Sequence, residues 1–377
     1  MAAKRRLPIV LKVLLAVLLV GIVTVGSYVA YLQVNYTRIS DGIAIENTGA
    51  ANSEVAASLK PANTYTVMTY NIGFGAYTPD FTFFMDHGTG KDGTQTQGEH
   101  AKATSKESVL ATTKGATEVA AAVADGSPAD FMFFQEVDED STRSYHVDQR
   151  SLLTDAFPTM ESFYAENFHS GFLAYPFHDM FGRVRAGMLT LSDANAQAVR
   201  RSYPIDEAFP TRYTDLDRCF CVLRIPVEGG RELVLINNHM SAYDEGGVIR
   251  KQQFDLLCSV LAKEYAAGNY VIAGGDWNHA LCGSQDIYET DEITPDWLAI
   301  FDENELPDGF DVVRAQNLED VATCRGGSVP YELGKSYRVT VDGFVVSDNV
   351  NATATNVDTG FAYSDHNPVL LSFKLEQ

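Results

Sequence analysis

Tyr270-Val271-Ile272-Ala273-Gly274-Gly275-Asp276-Trp277-Asn278 passes from an apolar run into a polar cluster within nine residues. A short apolar run closed by glycines reads as a buried strand, and its polar end as the point where the chain leaves the sheet. Just before it, Val248–Ala266 reads as a helix with Phe254, Leu257, Val260 and Leu261 on one side. Working outward, strand-like runs appear at 65–70, 131–134, 186–192, 219–227, 232–238, 339–346 and 367–375. A second helix is expected over 106–124, with Val109, Leu110, Val119 and Val123 on its apolar face. Residues 86–105 are polar, lack periodicity and read as a loop or insertion. No second linker and no repeat breaks the alternation, so 62–377 reads as one α/β domain.

Polar clusters close five of these runs: Asn71; Gln135-Glu136; Asn237-Asn238-His239; Asp276 with Asn278; and Asp365-His366 just before the last strand. Asp342, within Val341-Asp342-Gly343, adds a carboxylate. Each cluster alone is ordinary, because an Asn after a strand is usually a turn residue and a single His is usually structural. Taken together they differ, since strand ends of α/β sheets converge on one crevice. The gathered set, rich in carboxylate and amide oxygens with two histidines, suits a hard divalent cation beside histidine acid–base chemistry.

The ordered motifs TYNI (69–72), FQE (134–136), NNHM (237–240), GDWN (275–278), VDGF (341–344) and SDHNP (364–368) resemble the endonuclease/exonuclease/phosphatase superfamily. That group includes pancreatic-type deoxyribonucleases, abasic-site endonucleases, neutral sphingomyelinases and inositol-polyphosphate 5-phosphatases. The resemblance runs from about residue 65 to 375 and includes a weaker likeness of 185–192 to the family's central strand. It implies an α/β fold: a two-sheet β-sandwich flanked by helices, four-layered and deoxyribonuclease-like. It further implies that Asn71, Glu136 and Asp365 serve a Mg²⁺ or Mn²⁺ site, with Ca²⁺ as a further admissible ion. Asp276 and Asn278 would orient the attacking water and hold the scissile phosphate. His239 would contact the phosphate and act as acid, and Asp342 would orient His366. Trp277 stands where many members have Phe, and 86–105 has no counterpart in the pattern.

At the N-terminus, Lys4, Arg5, Arg6 and Lys12 precede an uncharged run over 13–32. About 20 apolar residues cross a bilayer core of about 30 Å as a helix. Only Thr24 and Ser27 interrupt the run as polar residues, and Tyr28 spoils the small-residue cleavage pattern ending at Ala30, so an uncleaved signal anchor is expected. Basic residues stay inside, which makes 1–12 a cytoplasmic tail, 33–61 a stalk, and the catalytic domain extracellular on a single-pass cell-membrane protein.

The formal net charge is −22, from 50 acidic against 28 basic residues, which weighs against tight binding of long polyanions. Five cysteines leave one unpaired whatever the bridging, and Cys282 with Cys324 is the one pair to consider. The expected function is hydrolysis of phosphodiester bonds by a monomer, nuclease-like in preference to a phospholipid head-group phosphodiesterase or phosphatase. A non-catalytic surface module of the same fold would be expected to lack a metal ligand or a histidine, and none is missing.

Overall fold

Apolar residues on both faces of the central strands call for cover on both sides, and the chain supplies it in four layers. The computed structural model describes residues 8–51, 54–242, 244 and 247–376. One sheet has seven strands in the order Ile43–Ile45, Gln197–Ser202, Cys219–Pro226, Glu232–His239, Tyr270–Asp276, Asp342–Ser347 and Phe310–Val312. The other has six, in the order Val350–Asn356, Val369–Leu375, Tyr65–Asn71, Phe131–Asp138, Gly182–Ser192 and Glu161–Leu173. Each sheet is antiparallel apart from one parallel pair at its centre, Glu232–His239 with Tyr270–Asp276 and Tyr65–Asn71 with Phe131–Asp138.

Alternate residues of one strand enter different layers. Phe131 and Phe133 join Leu223, Leu235 and Ile272 between the sheets. Met132 and Phe134 face the other way, onto Ala116, Ala120 and Leu153 of the helices Lys106–Ala122 and Gln149–Ala156. Beyond the seven-stranded sheet, Val234, Ile236, Val271 and Ala273 meet Phe254, Leu257, Val260 and Leu261 of Val248–Ala266. The expected α/β sandwich with outer helices is the observed fold.

Several local expectations change. Leu110 is exposed, and the helix Lys106–Ala122 approaches the sheet through Gly115, Ala116 and Ala120 instead. A Cβ at Gly115 would lie 2.2 Å from the Tyr363 ring, so the small residues set the packing distance. Residues 86–105 contain a hairpin, His87–Thr89 with Gln95–Gln97, whose turn donates from Lys91 N to Asp291 O at 2.7 Å. All five cysteines are free, so Cys282 and Cys324 do not pair.

Of residues 33–61, expected as a stalk, 33–35 end the apolar helix and 36–51 and 54–61 are laid along the domain. Ile43–Ile45 pairs with Gln197–Ser202 as an edge strand, and Leu59 is buried in the inter-sheet core. Small residues permit this path: a Cβ at Gly49 would lie 2.3 Å from Met160 O. The apolar run forms one helix, Ile9–Asn35, longer at both ends than 13–32 and long and apolar enough to cross a membrane. Lys4, Arg5 and Arg6 lie outside the described residues.

Candidate active site

Strand register assembles the first wall of the site. His239 is level with Asp276 across the parallel pair, and Asp276 with Asp342 across the next antiparallel pair. Three site side chains therefore stand in a row at the spacing of neighbouring strands, about 4.8 Å. The parallel strands touch so closely here that a Cβ at Gly275 would lie 1.9 Å from Asn238 O, and Gly275 has φ +145°. Only glycine fits that position.

The second sheet supplies the facing wall. Asn71 is level with Gln135, and a bulge follows between Phe134 and Val137. Glu136 takes φ +54° in that bulge, a conformation a non-glycine residue keeps only when its surroundings over-determine it. The result is to aim Glu136 into the crevice. Asn71 Nδ2 donates to Glu136 Oε1 at 3.2 Å and to Asp276 Oδ2 at 3.0 Å, tying the walls together. Below this layer, Gln135 Nε2 donates to Asn237 Oδ1 at 2.8 Å, so residues of the FQE and NNHM motifs join the sheets.

Asp276 is the hub. Its Oδ1 accepts from Asn278 N at 2.9 Å, while Asn278 Nδ2 donates to Met240 O at 2.8 Å. Its Oδ2 lies 3.5 Å from His239 Nε2 and 3.8 Å from His366 Nε2. His366 Nδ1 meets Asp342 Oδ2 at 2.8 Å. Ser364 sets the loop that carries His366: its Oγ donates to Asn71 O at 2.7 Å and accepts from His366 N at 3.1 Å. Trp277 is fully buried behind the row, with Nε1 donating to Gly343 O at 3.1 Å.

The electrostatics divide the pocket. Burial, with the Arg218 guanidinium next, pushes His239 well below its ordinary range. Burial opposes the charged form of His366 too, but Asp342, Cys324, Asp276 and Asp365 outweigh it and raise His366 well above that range. Burial pushes Asp276 up to about 6 and Asp365 up to about 7, with Asp342 and Glu136 respectively adding to the rise. Crowded carboxylates that hold protons in this way suit a divalent cation, whose charge would offset theirs. Ligand atoms of Asp276, Asp342 and His366 all lie within 4.8 Å of one another. Asn71 turns its amide nitrogen, not its oxygen, toward the carboxylates, and its Oδ1 accepts from Gly73 N at 3.0 Å. In that orientation it fastens Glu136 and Asp276 and ligates nothing. The amide oxygen and nitrogen are nearly isosteric, so the opposite assignment would turn Oδ1 inward.

Sequence reading missed Arg218. It is buried, its Nε and Nη1 have no hydrogen-bond partner among the described residues, and its charge acts first on Asp215, then on Glu136 and Asp276, and on His239. The signal was available: Phe220 is level with Asn238 in the hairpin Cys219–Pro226/Glu232–His239, so Arg218 has to lie beside the NNHM motif. Arg143, which the scattered basic residues also include, is spent on a two-point contact with Asp138, at 2.8 and 3.1 Å, over the Phe74 ring.

A family model described as the Endonuclease/Exonuclease/phosphatase family matches residues 68–366, most of the chain. The chain belongs to that family. It is thereby a member of a superfamily of phosphodiesterases and phosphatases whose members depend on divalent metal. Among solved structures, an endonuclease/exonuclease/phosphatase from Beutenbergia cavernae DSM 12333 superposes with TM-score 0.51 at 14% identity, covering 83% of this chain and 72% of that one. TDP2 of D. rerio, solved with a single-strand DNA product, gives 0.51 at 14%, covering 83% and 99%. ANGEL2, a 2',3'-cyclic phosphatase solved with adenosine-2',3'-vanadate, gives 0.50 at 14%, covering 83% and 96%. At that identity these likenesses speak to the fold. No curated protein sequence matches. The family match ends at His366 itself, and its span holds all eight residues of the expected site. The structure brings all eight to one crevice; six are buried, and Glu136 and Asp365 are half-buried.

Proposed function

We propose that the protein is a divalent-metal-dependent hydrolase of phosphodiester bonds, tethered by the helix Ile9–Asn35 with its catalytic domain on the extracellular side. The observation that carries the reading is the row His239–Asp276–Asp342, facing Glu136 across the Asn71 tie and completed by His366. Glu136 and Asp365, with Asn71 if its amide is turned, would hold Mg²⁺ or Mn²⁺. When bound, the ion supplies charge neutralisation at the phosphate and lowers the pKa of water.

The chain's own groups divide the remaining work. Arg218, a buried cation beside His239 whose Nε and Nη1 have no hydrogen-bond partner among the described residues, would hold a phosphate oxygen. Asp276, positioned by Asn278 N, would accept the proton as the water oxygen bonds to phosphorus. His366, kept charged by Asp342, would give its proton to the leaving oxygen as the old P–O bond breaks. Neutral His239 would donate a hydrogen bond to the phosphate from the opposite side.

A nuclease-like substrate is the first reading, because both histidines are in place. A phospholipid head group is the second, favoured by the tether and the acidic chain. Residues 33–377 would be assayed on bis(p-nitrophenyl) phosphate, plasmid DNA and sphingomyelin, each with Mg²⁺, Mn²⁺ and EDTA, beside an Asp276→Ala/His366→Ala variant. Metal-dependent turnover lost in the variant is expected. Turnover that survives EDTA or the double substitution would overturn the proposal, and the preferred substrate decides between the two readings.

A further inference from the structure

The apolar helix does not end free of the domain. Tyr28 Oη donates to Phe172 O at 3.0 Å and accepts from Ala174 N at 2.9 Å, while Tyr31 Oη accepts from Phe172 N at 2.9 Å. A Cβ at Gly171 would sit 3.2 Å from the Tyr31 ring, so a glycine lets the helix come this close. On its other side, Gln33 Oε1 accepts from Arg212 Nη2 at 2.7 Å and from Tyr213 Oη at 2.8 Å. Two segments are thus fixed at the height of the last helical turns. One is the tip joining Glu161–Leu173 to Gly182–Ser192; the other is the loop around Thr211–Tyr213.

Height matters because the helix carries its own ruler. At 1.5 Å per residue, Tyr28 lies about 6 Å inside the outer end of the apolar run at Leu32. Backbone bonded to Tyr28 must then lie near the polar–apolar boundary of any bilayer the helix spans. These same segments expose large apolar side chains: Phe177 is 79% exposed, Tyr175 65% and Phe209 63%. Tyr175 packs edge-on against Phe177 at 6.2 Å and against Phe84 at 5.9 Å, so the tip aromatics cluster, while Phe209 packs edge-on against Tyr213 at 6.0 Å in the second clasped segment. A soluble surface seldom keeps such a patch without a partner, and aromatic rings concentrate at the boundary layer of membranes. Of the nearby carboxylates, Asp179 is paired with Lys102, and Glu207 points to solvent.

We propose that the patch of Phe172, Tyr175, Phe177, Met180 and Phe209 docks into the lipid interface beside the helix and holds the site end of the domain against the bilayer. The commitment to lipid comes from continuity with the apolar helix that clasps the same segments. That the site end faces the membrane follows from the chain path. Gly187 and Ala186, a few residues from the tip, pair with Val137 and Asp138 beside Glu136. Asp217, next to Arg218, pairs with Arg38 just beyond the helix at 3.2 Å. The inference rests on the membrane-spanning reading above.

The test uses the full chain in phosphatidylcholine vesicles whose acyl chains are brominated near the head group, with Phe177→Trp as reporter. Glu228→Trp is the control, in the exposed turn between Cys219–Pro226 and Glu232–His239 at the far end from the site. The unsubstituted chain provides the background from Trp277 and Trp297. The expected result is loss of most of the added emission at 177 and none at 228. A chain that floats with the vesicles but is quenched at neither position, or equally at both, overturns the docking while leaving the anchor intact. The first of those outcomes points to a protein partner on the patch. A chain that fails to float overturns the membrane-spanning reading itself and the docking with it.

Discussion

Two histidines of one pocket, His239 and His366, are driven to opposite charge states by what lies behind them. Both are buried, and burial alone would neutralise both. Behind His239 stands the Arg218 guanidinium, which adds to the effect of burial. Behind His366 stands Asp342, at 2.8 Å, which reverses it. Residue type thus says little about protonation here; the neighbour on the next strand decides it. The same pocket therefore holds a proton donor and a neutral hydrogen-bonding group at one pH, facing a common acceptor in Asp276.

The sharpest way to break this contrast is to remove the group both histidines share. Asp276→Asn should lower kcat by about 10⁴-fold, the upper end of the range for a lost general base. Steady-state kinetics on bis(p-nitrophenyl) phosphate measures it, and a loss under ten-fold would remove Asp276 from proton transfer.

Asp342→Asn comes next, because it takes away the partner that keeps His366 charged. A loss of about 10²-fold is expected on substrates with an alkoxide leaving group, the lower end of acid catalysis. The loss should be smaller on p-nitrophenyl esters, whose leaving oxygen departs without a proton. In NMR titrations the His366 pKa should fall. Equal losses on both substrate types would mean that His366 is not the acid.

Arg218→Met attacks the other half. A rise in KM of about ten-fold is expected if one charge-assisted phosphate contact of about 1.5 kcal/mol is lost. The His239 pKa should move up, since a neighbouring positive charge is gone, while burial still holds it low. An unchanged KM with a normal fold by circular dichroism would reassign Arg218 to a structural role.

The smallest effect is on pH. In the metal-free protein Asp276 titrates near 6 and Asp365 near 7, both raised from 3.8. The folded state then holds more protons than the unfolded one, so metal-free stability should fall as pH rises from about 4 toward 7. Metal binding must displace those protons, so Mg²⁺ or Mn²⁺ affinity should weaken as pH drops below 7, by up to about ten-fold per unit for each proton released. Calorimetric titrations at several pH values, with thermal melts alongside, would show both. Affinity that is flat between pH 5.5 and 7.5 would place the ion away from these carboxylates.

How much could be read beforehand differs between the centre and the rim. The central strands announced themselves: 131–134 and 270–274 are apolar on both faces because sheet and helix cover them, and local pattern records that directly. Polar residues at the ends of these and the neighbouring strands, with Asp342, are the eight that gather in the crevice. Edge elements announced nothing. Glu161–Leu173 is the longest strand and escaped notice, because it pairs on one side only and its exposed tip mixes polar and aromatic residues. Val350–Asn356, polar on its outer face, escaped for the same reason.

What the sequence by itself determined is therefore the α/β class and the apolar N-terminal helix, from short-range periodicity and composition, and the residues that meet in the crevice, from strand-end chemistry, while the layering was implied by the family resemblance of the motifs. Only the tertiary structure decided that the segment around Ile43–Ile45 packs as an edge of the domain, that Arg218 stands beside His239, and which histidine carries charge. These depend on atoms brought together from distant parts of the chain, and burial and Coulomb energies are set by those distances, not by neighbours in sequence.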